Sequence, residues 1–187
     1  LVSATDAVSL PEHAFFQNLF TVNHLHAEKP LLKYFRVQSA QKDKLPALLS
    51  LLQKTGRGKT IIFSNHRESV ERIQEYLENH SVFPAAYHGV MDQAKREHSL
   101  FQFRSGSSLW LNTTDLASRG LDIDDVKYII HYHLPLSEEV FIHRNGRTAR
   151  MHDNGAVVII CGPEEELPPY ITEEVNFFKQ PSESIAK

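Results

Sequence analysis

Short apolar strands alternate with amphipathic helices along most of this sequence. Runs such as TIIFS (60–64) and AVVIIC (156–161) are rich in β-branched residues and are typical of buried strands. Between such runs, apolar residues recur at the spacing of one helical face. Strands that are joined through helices run parallel, because the crossover returns the chain to the same end of the sheet. The pattern therefore predicts an α/β fold: a three-layer domain with a mainly parallel sheet flanked by helices.

The individual elements can be placed approximately. Predicted strands cover residues 34–38, 59–64, 82–89, 108–114, 126–134 and 155–161, and predicted helices cover residues 44–54, 67–80 and 93–103. The acidic stretch 164–179 predicts one further helix that closes the sheet, and we expect a flexible tail over 181–187.

Composition restricts the class of protein. A chain of 187 residues, 41% of them hydrophobic, is long enough for one well-packed domain. It has no apolar stretch near 18 residues and no basic-then-apolar leader, so we expect a cytoplasmic protein without a membrane span. The single cysteine, Cys161, excludes an internal disulfide, and its apolar neighbours predict a buried, unreactive strand residue.

Charge and histidine content argue against two kinds of binding. The net charge of −3 does not favour coating of nucleic acid by bulk electrostatics, so such binding requires a local patch. The histidine pairs of 24–26 and 131–133 lack the spacing and partners of zinc frameworks, so no metal site is expected.

Polar residues follow several predicted strands. In parallel sheets, ligands bind beyond the carboxyl ends of the strands, and His88, Thr113 and His131 fall there. We therefore expect these residues to share one rim.

The run HRNGRTAR (143–150) carries three arginines at intervals of three residues. Helical spacing would place Arg144, Arg147 and Arg150 along roughly one face. Guanidinium groups bind phosphate oxygens bidentately, so the run points toward nucleotide chemistry, with a solvated basic face as the alternative.

The sequence lacks a phosphate-binding loop of its own. The tripeptide GKT at 58–60 resembles the end of such a loop, but Gln53 stands where the first glycine is required, and a strand follows rather than precedes it. The chain thus offers arginines suited to a γ-phosphate without a Gly-rich nest, as expected of half of a composite site.

Several motifs occur in an order that resembles one family. They are SAT (3–5), IIFSNHR (61–67), YHGVMDQAKRE (87–97), FRSG (103–106), NTTDLASRGLDID (112–124) and YIIHYHLP (128–135), followed by FIHRNGRTAR (141–150). Together, over about residues 34–165, they resemble the second RecA-like domain of DEAD-box ATP-dependent RNA helicases of superfamily 2. The resemblance implies that residues 1–33 hold the end of a first helicase domain and a linker, and that residues 34–180 form a C-terminal RecA-like domain.

The resemblance also implies residue roles at an ATP site. Arg147 and Arg150 become arginine fingers that stabilise charge on the γ-phosphate in the transition state, and His143 links them to the first domain or to water. Nucleotide-binding roles follow for Arg119, Gly120 and Asp122, of which Asp122 accepts a hydrogen bond from the ribose. Mg²⁺ is expected on the absent first domain.

Further roles concern the neighbouring domain and RNA. Interdomain coupling is implied for Ser3, Thr5, Asp115 and Arg144, while Asp115 could equally serve as a loop brace. Contacts to the RNA backbone are implied for His66, Arg67, Gly89, Gln93, Arg96 and Thr114. Such contacts bind phosphates, so recognition is expected to ignore base sequence and to weaken with salt.

Five positions depart from the family pattern. They are His66, Val90, His133, Asn145 and Ala149, which stand where threonine, aspartate, aspartate, isoleucine and glycine are usual. Because the arginine spacing survives, we expect working fingers with altered loop packing.

The implied function is that of a partner domain in an ATP-dependent RNA helicase, inactive alone because it lacks the P-loop and DEAD segment. RNA and the first RecA-like domain of the same protein are the expected partners, and ATP the expected cofactor. Two alternatives remain: a DNA-directed superfamily 2 helicase, and a noncatalytic α/β docking module.

Overall fold

A computed structural model describes residues 32–115, 123, 126–149, 154–172 and 174–177. This part of the chain contains seven strands and four helices. In chain order they are β1 (Leu32–Gln38), α1 (Leu45–Thr55), β2 (Thr60–Ser64), α2 (Arg67–Asn79), β3 (Ala85–Tyr87), α3 (Gln93–Ser105), β4 (Trp110–Thr114), β5 (Tyr128–His131), α4 (Glu138–Asn145), β6 (Gly155–Cys161) and β7 (Val175–Phe177).

The seven strands form one sheet in the order β3-β4-β2-β5-β6-β1-β7. Every pair of neighbouring strands is parallel. The central strand β2 lies between β4 and β5, with Phe63 opposite Thr113 on one side and His131 on the other. The predicted parallel sheet is confirmed.

Helices cover both faces of this sheet. On β2, Ile62 packs with α1 and α2, whereas Ile61 and Phe63 belong to a second core with Phe103 of α3 and Phe141 of α4. Alternate side chains of a strand point to opposite faces, so a strand buried on both faces reads as one continuous apolar run. The predicted three-layer arrangement is confirmed.

Local sequence explains where the helices near the rim begin and end. The Asp92 carboxylate accepts a hydrogen bond from the Lys95 N–H at 2.8 Å and caps α3, and Ser137 does the same for α4 through Val140. Gly106 follows α3 with a φ of 78°, in the left-handed region that glycine adopts without strain.

The prediction of a C-terminal helix over 164–179 is wrong. Residues 164–172 form turns and irregular structure, and Val175–Phe177 instead add a strand beside β1. Pro168 and Pro169 explain the difference, because proline lacks the N–H that a helix interior needs and disfavours helical geometry in the residue before it. The Glu165 carboxylate closes a turn, accepting from the Gly162 N–H at 2.7 Å and from Lys44 Nζ at 2.8 Å.

Three further expectations concern Cys161, the start of the domain and a membrane span. Cys161 is a buried strand residue as predicted, and burial raises the pKa of its thiol. The first strand begins at Leu32, two residues before the predicted domain start. Residues 1–31 and 181–187 lie outside the described part of the chain. None of the described helices is both long and apolar enough to cross a bilayer.

Candidate functional site

The carboxyl ends of the central strands bring the predicted site residues to one rim. His66 and Arg67 follow β2, Gly89 follows β3, Thr114 ends β4 and His131 ends β5. Two hydrogen bonds join the loop after β2 to the loop after β5. The Asn65 N–H donates to His133 Nδ1 at 3.3 Å, and Asn65 Nδ2 donates to the Leu134 carbonyl at 3.1 Å. The shared rim predicted from the sequence is therefore present.

Arg144 is the centre of a hydrogen-bond network beneath this rim. Its side chain is only 1% exposed, and it donates to both carboxylate oxygens of Asp115, from Nε to Oδ1 at 2.5 Å and from Nη2 to Oδ2 at 2.6 Å. Nη2 also donates to Asn65 Oδ1 at 2.8 Å, and Nη1 donates to the His133 carbonyl at 2.9 Å. The guanidinium carbon lies 5.2 Å from the ring centroid of Phe63. Three strand ends and α4 thus share one buried cation.

This burial overturns one expectation, the common helical face of the arginines. Arg144 does not share a helical face with Arg147, because α4 ends at Asn145 and the arginine turns inward to the sheet. The donors of Arg144 face Asp115, Asn65 and His133 of this domain, and its role in interdomain coupling stays a prediction. Both carboxylate oxygens of Asp115 accept hydrogen bonds from Arg144, a contact that suits a loop brace, while the role of Asp115 in interdomain coupling stays a prediction.

Arg147 lies in a tight turn just beyond α4. The Arg147 N–H donates to the Arg144 carbonyl at 3.3 Å, and the Thr148 N–H donates to the Asn145 carbonyl at 3.1 Å. Thr148 Oγ1 donates to the Val126 carbonyl, and an added Cβ at Gly155 would lie 2.5 Å from that hydroxyl oxygen. The backbone of Arg147 is therefore held on both sides, while its side chain is half-buried.

The neighbours of this turn differ in their exposure. His143 is exposed on α4. Ala149, one of the departures from the family pattern, is buried with a φ of 55°, a conformation that favours glycine. The altered loop packing expected from this substitution stays a prediction.

Two further departures from the family pattern, at His133 and Asn145, take part in internal hydrogen bonds. His133 Nδ1 accepts from the Asn65 N–H, as described above, and Asn145 contacts His131. His131 Nε2 lies 2.9 Å from Asn145 Oδ1, and His131 Nδ1 lies 3.2 Å from Arg144 Nη1. Burial, reinforced by neighbouring Arg144, lowers the pKa of His131 to about 3, and burial with Lys44 lowers the pKa of His133 to about 4. Both imidazoles are therefore neutral at neutral pH. The rim position of His131 was predicted from its place at the end of a strand, but its contacts with Asn145 and Arg144 were not.

Acidification from pH 7 to pH 5 is expected to lower the free energy of unfolding. The folded pKa of His131 lies near 3, below its ordinary value of 6.5, so in this range the unfolded chain takes up a proton that the folded protein does not. The contribution of His131 to the free energy of unfolding is complete above pH 6.5 and decreases as the pH falls. At pH 5 it is about 2 kcal/mol smaller than at pH 7. Urea unfolding at both pH values measures the effect. In His131→Asn the difference between the two pH values should shrink by about 2 kcal/mol, and an unchanged difference would contradict the buried neutral imidazole.

The residues assigned to RNA contacts follow one edge of the sheet. Gln93 and Arg96 are one helical turn apart on α3, as predicted, and Arg96 Nη2 donates to Gln93 Oε1 at 2.6 Å. Gly89 lies in the turn before α3, where an added Cβ would meet no atom within 4 Å. The space beside its backbone is open to a ligand.

The remaining candidates for RNA contact, His66, Arg67 and Thr114, lie at the carboxyl ends of the neighbouring strands β2 and β4. Arg67 and His66 are exposed at the start of α2, and Arg67 Nε donates to Glu68 Oε1 at 2.8 Å. The ring centroids of His66 and His133 are 6.5 Å apart. Thr114, opposite Ser64 in the sheet, is half-buried.

Some predicted site residues lie outside the described residues, and their roles stay predictions. They are Ser3, Thr5, Arg119, Gly120, Asp122 and Arg150. Within the part of the chain that is described, no group of three or more His, Cys, Asp or Glu side chains could hold a metal ion.

Comparison with known proteins places this fold and rim in a family. Residues 43–152 match the helicase conserved C-terminal domain. The ATP-dependent RNA helicase mak5 of Schizosaccharomyces pombe is 41% identical over 108 residues, which are 58% of this chain and 17% of that protein. Its counterpart MAK5 of Coccidioides immitis is 38% identical over 147 residues, 77% of this chain and 19% of that protein.

Solved structures agree with the sequence matches. The E. coli DEAD-box protein SrmB, bound to regulator of ribonuclease activity A, superposes with a TM-score of 0.70 at 26% identity, covering 80% of this chain and 91% of that one. S. cerevisiae Dbp5 bound to RNA and ADP BeF3 shares the fold, with a TM-score of 0.71 at 22% identity over 80% of this chain and 41% of that one.

The chain belongs to the helicase conserved C-terminal domain family. Within it, the predicted resemblance to the C-terminal RecA-like domain of a DEAD-box RNA helicase is confirmed by the mak5 relatives and by SrmB. The chain spans less than a fifth of the length of the curated relatives it matches.

Proposed function

We propose that this domain is the second lobe of an ATP-dependent RNA helicase and that Arg147 and Arg150 complete an ATP site held mainly by a first lobe. The observation that carries the proposal is the clamp of Arg144 on Asp115, which fixes the end of α4 at the rim. Arg147 follows that end by two residues, in a turn whose backbone is held on both sides.

The chemistry of this turn suits charge stabilisation. A guanidinium is always protonated and can only donate hydrogen bonds, so it neutralises the charge that develops on a transferring γ-phosphoryl group. A fixed backbone also means that the donor needs little reorganisation at the moment of reaction. The floor of the pocket and the Mg²⁺ are assigned to the first lobe, with Asp122, Arg119 and Gly120 of this chain near the nucleotide.

RNA is assigned to the exposed side of the same rim. The net charge of −3 requires a local site, and the open space at Gly89, the Gln93–Arg96 pair and the exposed Arg67 provide one. These groups suit phosphate rather than base edges, so binding is sequence-indifferent.

Coupling between the two ligands follows from their shared cleft. ATP and RNA each bind the closed pair of lobes more tightly than the open pair, and this differential affinity draws the lobes together. Hydrolysis of ATP removes part of this differential affinity, and the two lobes separate. This cycle of closing and opening drives local separation of RNA strands.

RNA, rather than DNA, is expected to stimulate ATP hydrolysis by the full-length protein. The experiment measures ATP turnover with single-stranded RNA, with DNA of the same sequence and without nucleic acid, with the 187-residue chain alone as an inactive control. Stimulation by DNA only would replace the proposal with a DNA-directed helicase, and turnover by the chain alone would refute the composite site.

A further inference from the structure

One buried contact of the rim remains unused by the proposed function: the hydrogen bond between His131 and Asn145. His131 ends β5 and is fully buried, and Asn145 ends α4 with 6% of its surface exposed. The bond joins the strand to the residue that precedes the turn of Arg147.

The orientation of the His131 ring is fixed by its neighbours. Phe141 stacks on it with centroids 5.4 Å apart and an interplanar angle of 30°, and Phe63 does so at 6.4 Å and 27°. Stacking fixes the plane of the imidazole, and the hydrogen bonds to Arg144 and Asn145 determine where its two nitrogens lie within that plane.

The partners of those nitrogens also fix the tautomer. A guanidinium has no acceptor, so Arg144 Nη1 donates to His131 Nδ1, which must carry no proton. The remaining nitrogen, Nε2, therefore carries the proton and donates to Asn145 Oδ1. Arg144 thus determines what His131 can offer to Asn145.

We infer that Asn145 and His131 are positioning residues that hold the backbone from which Arg147 reaches the ATP site. This inference rests on the proposed function. Asn145 also accepts the Thr148 N–H through its backbone carbonyl, so its side chain and its main chain anchor the two sides of one short turn. Removing the side-chain oxygen leaves a buried imidazole N–H without its acceptor, and the end of α4 must move to relieve it.

Two variants test the contact in the full-length protein. Asn145→Leu keeps the approximate size and removes the acceptor, whereas Asn145→Asp keeps an oxygen at the same place. The matched control is Asn79→Leu, which changes the exposed last residue of α2. We expect Asn145→Leu to lower kcat for RNA-stimulated ATP hydrolysis about tenfold with KM for ATP within about twofold, because small misplacements cost rate rather than binding. Asn145→Asp should recover most of the rate and Asn79→Leu should match the wild type.

A double variant separates positioning from a general loss of folding. If Asn145 acts through Arg147, Asn145→Leu with Arg147→Ala should be no slower than Arg147→Ala alone, measured well below the unfolding midpoint of each protein. Losses that multiply, or an Asn145→Asp as slow as Asn145→Leu, would overturn the inference. A rate for Asn145→Leu within twofold of wild type would also overturn it.

A spectroscopic measurement is independent of catalysis. In ¹⁵N-labelled protein at pH 7, the imidazole of His131 should be neutral with its proton on Nε2, and a proton on Nδ1 would contradict the assignment. The results distinguish failure of this inference from failure of the proposed function. Normal turnover by Arg147→Ala would contradict both. Slow turnover by Arg147→Ala together with normal turnover by Asn145→Leu would contradict this inference alone.

Discussion

Replacing Asp115 by alanine is expected to lower the free energy of unfolding by about 3 kcal/mol. The substitution leaves the Arg144 guanidinium, 1% exposed, without the carboxylate that accepts two of its hydrogen bonds. A buried charge that has lost its partner cannot recover its hydration, and this uncompensated burial, rather than the lost attraction, produces the effect. Urea unfolding at neutral pH measures it.

The control for this substitution is Glu68→Ala. Glu68 pairs with Arg67 at 2.8 Å, but both side chains are more than half exposed. Exposed pairs contribute little, so the change in the free energy of unfolding should be small beside that of Asp115→Ala. If Asp115→Ala were as mild as Glu68→Ala, Arg144 would not be a buried organising cation. A combined change of Arg144 and Asp115 to leucine should recover part of the loss, since no charge is then left buried.

Replacing Arg147 by alanine is expected to slow RNA-stimulated ATP hydrolysis by the full-length protein on the order of a thousandfold. The side chain is proposed to meet charge that exists only in the transition state, so kcat should fall while the affinity for ATP changes little. Alanine keeps the backbone N–H that donates to the Arg144 carbonyl, so the turn past the end of α4 should remain folded in the variant.

Arg57→Ala is the matched control for Arg147→Ala. Arg57 is exposed and precedes β2, at the opposite end of the sheet from the rim. Its removal should leave turnover unchanged. Equal activity of the Arg147 and Arg57 variants would favour the noncatalytic docking module over a helicase lobe.

Much of the fold could be predicted because its signals are local. Buried strands such as Thr60–Ser64 and Gly155–Cys161 are apolar on both faces, and α2 carries Val70, Ile73 and Leu77 at helical spacing. Parallel strands then place the residues that follow them at one rim, so His88 and His131 could be assigned to a common edge.

The orientation of Arg144 could not be predicted from its spacing. Three arginines at intervals of three share a face only if one helix carries them all, and the glycine at 146 marks the end of α4 instead. The carboxylate that holds Arg144 is 29 positions away at Asp115, a distance over which sequence spacing gives no geometry. The same is true of β7, whose pairing with β1 joins opposite ends of the domain after Pro168 and Pro169 have interrupted the expected helix.

The most direct test is the structure of the full-length protein bound to RNA and ADP–beryllium fluoride. The account predicts a closed pair of lobes with the Arg147 guanidinium about 3 Å from the beryllium fluoride, at hydrogen-bonding distance. A closed complex in which Arg147 donates only to groups of its own domain, with the beryllium fluoride contacted by the other lobe alone, would contradict it.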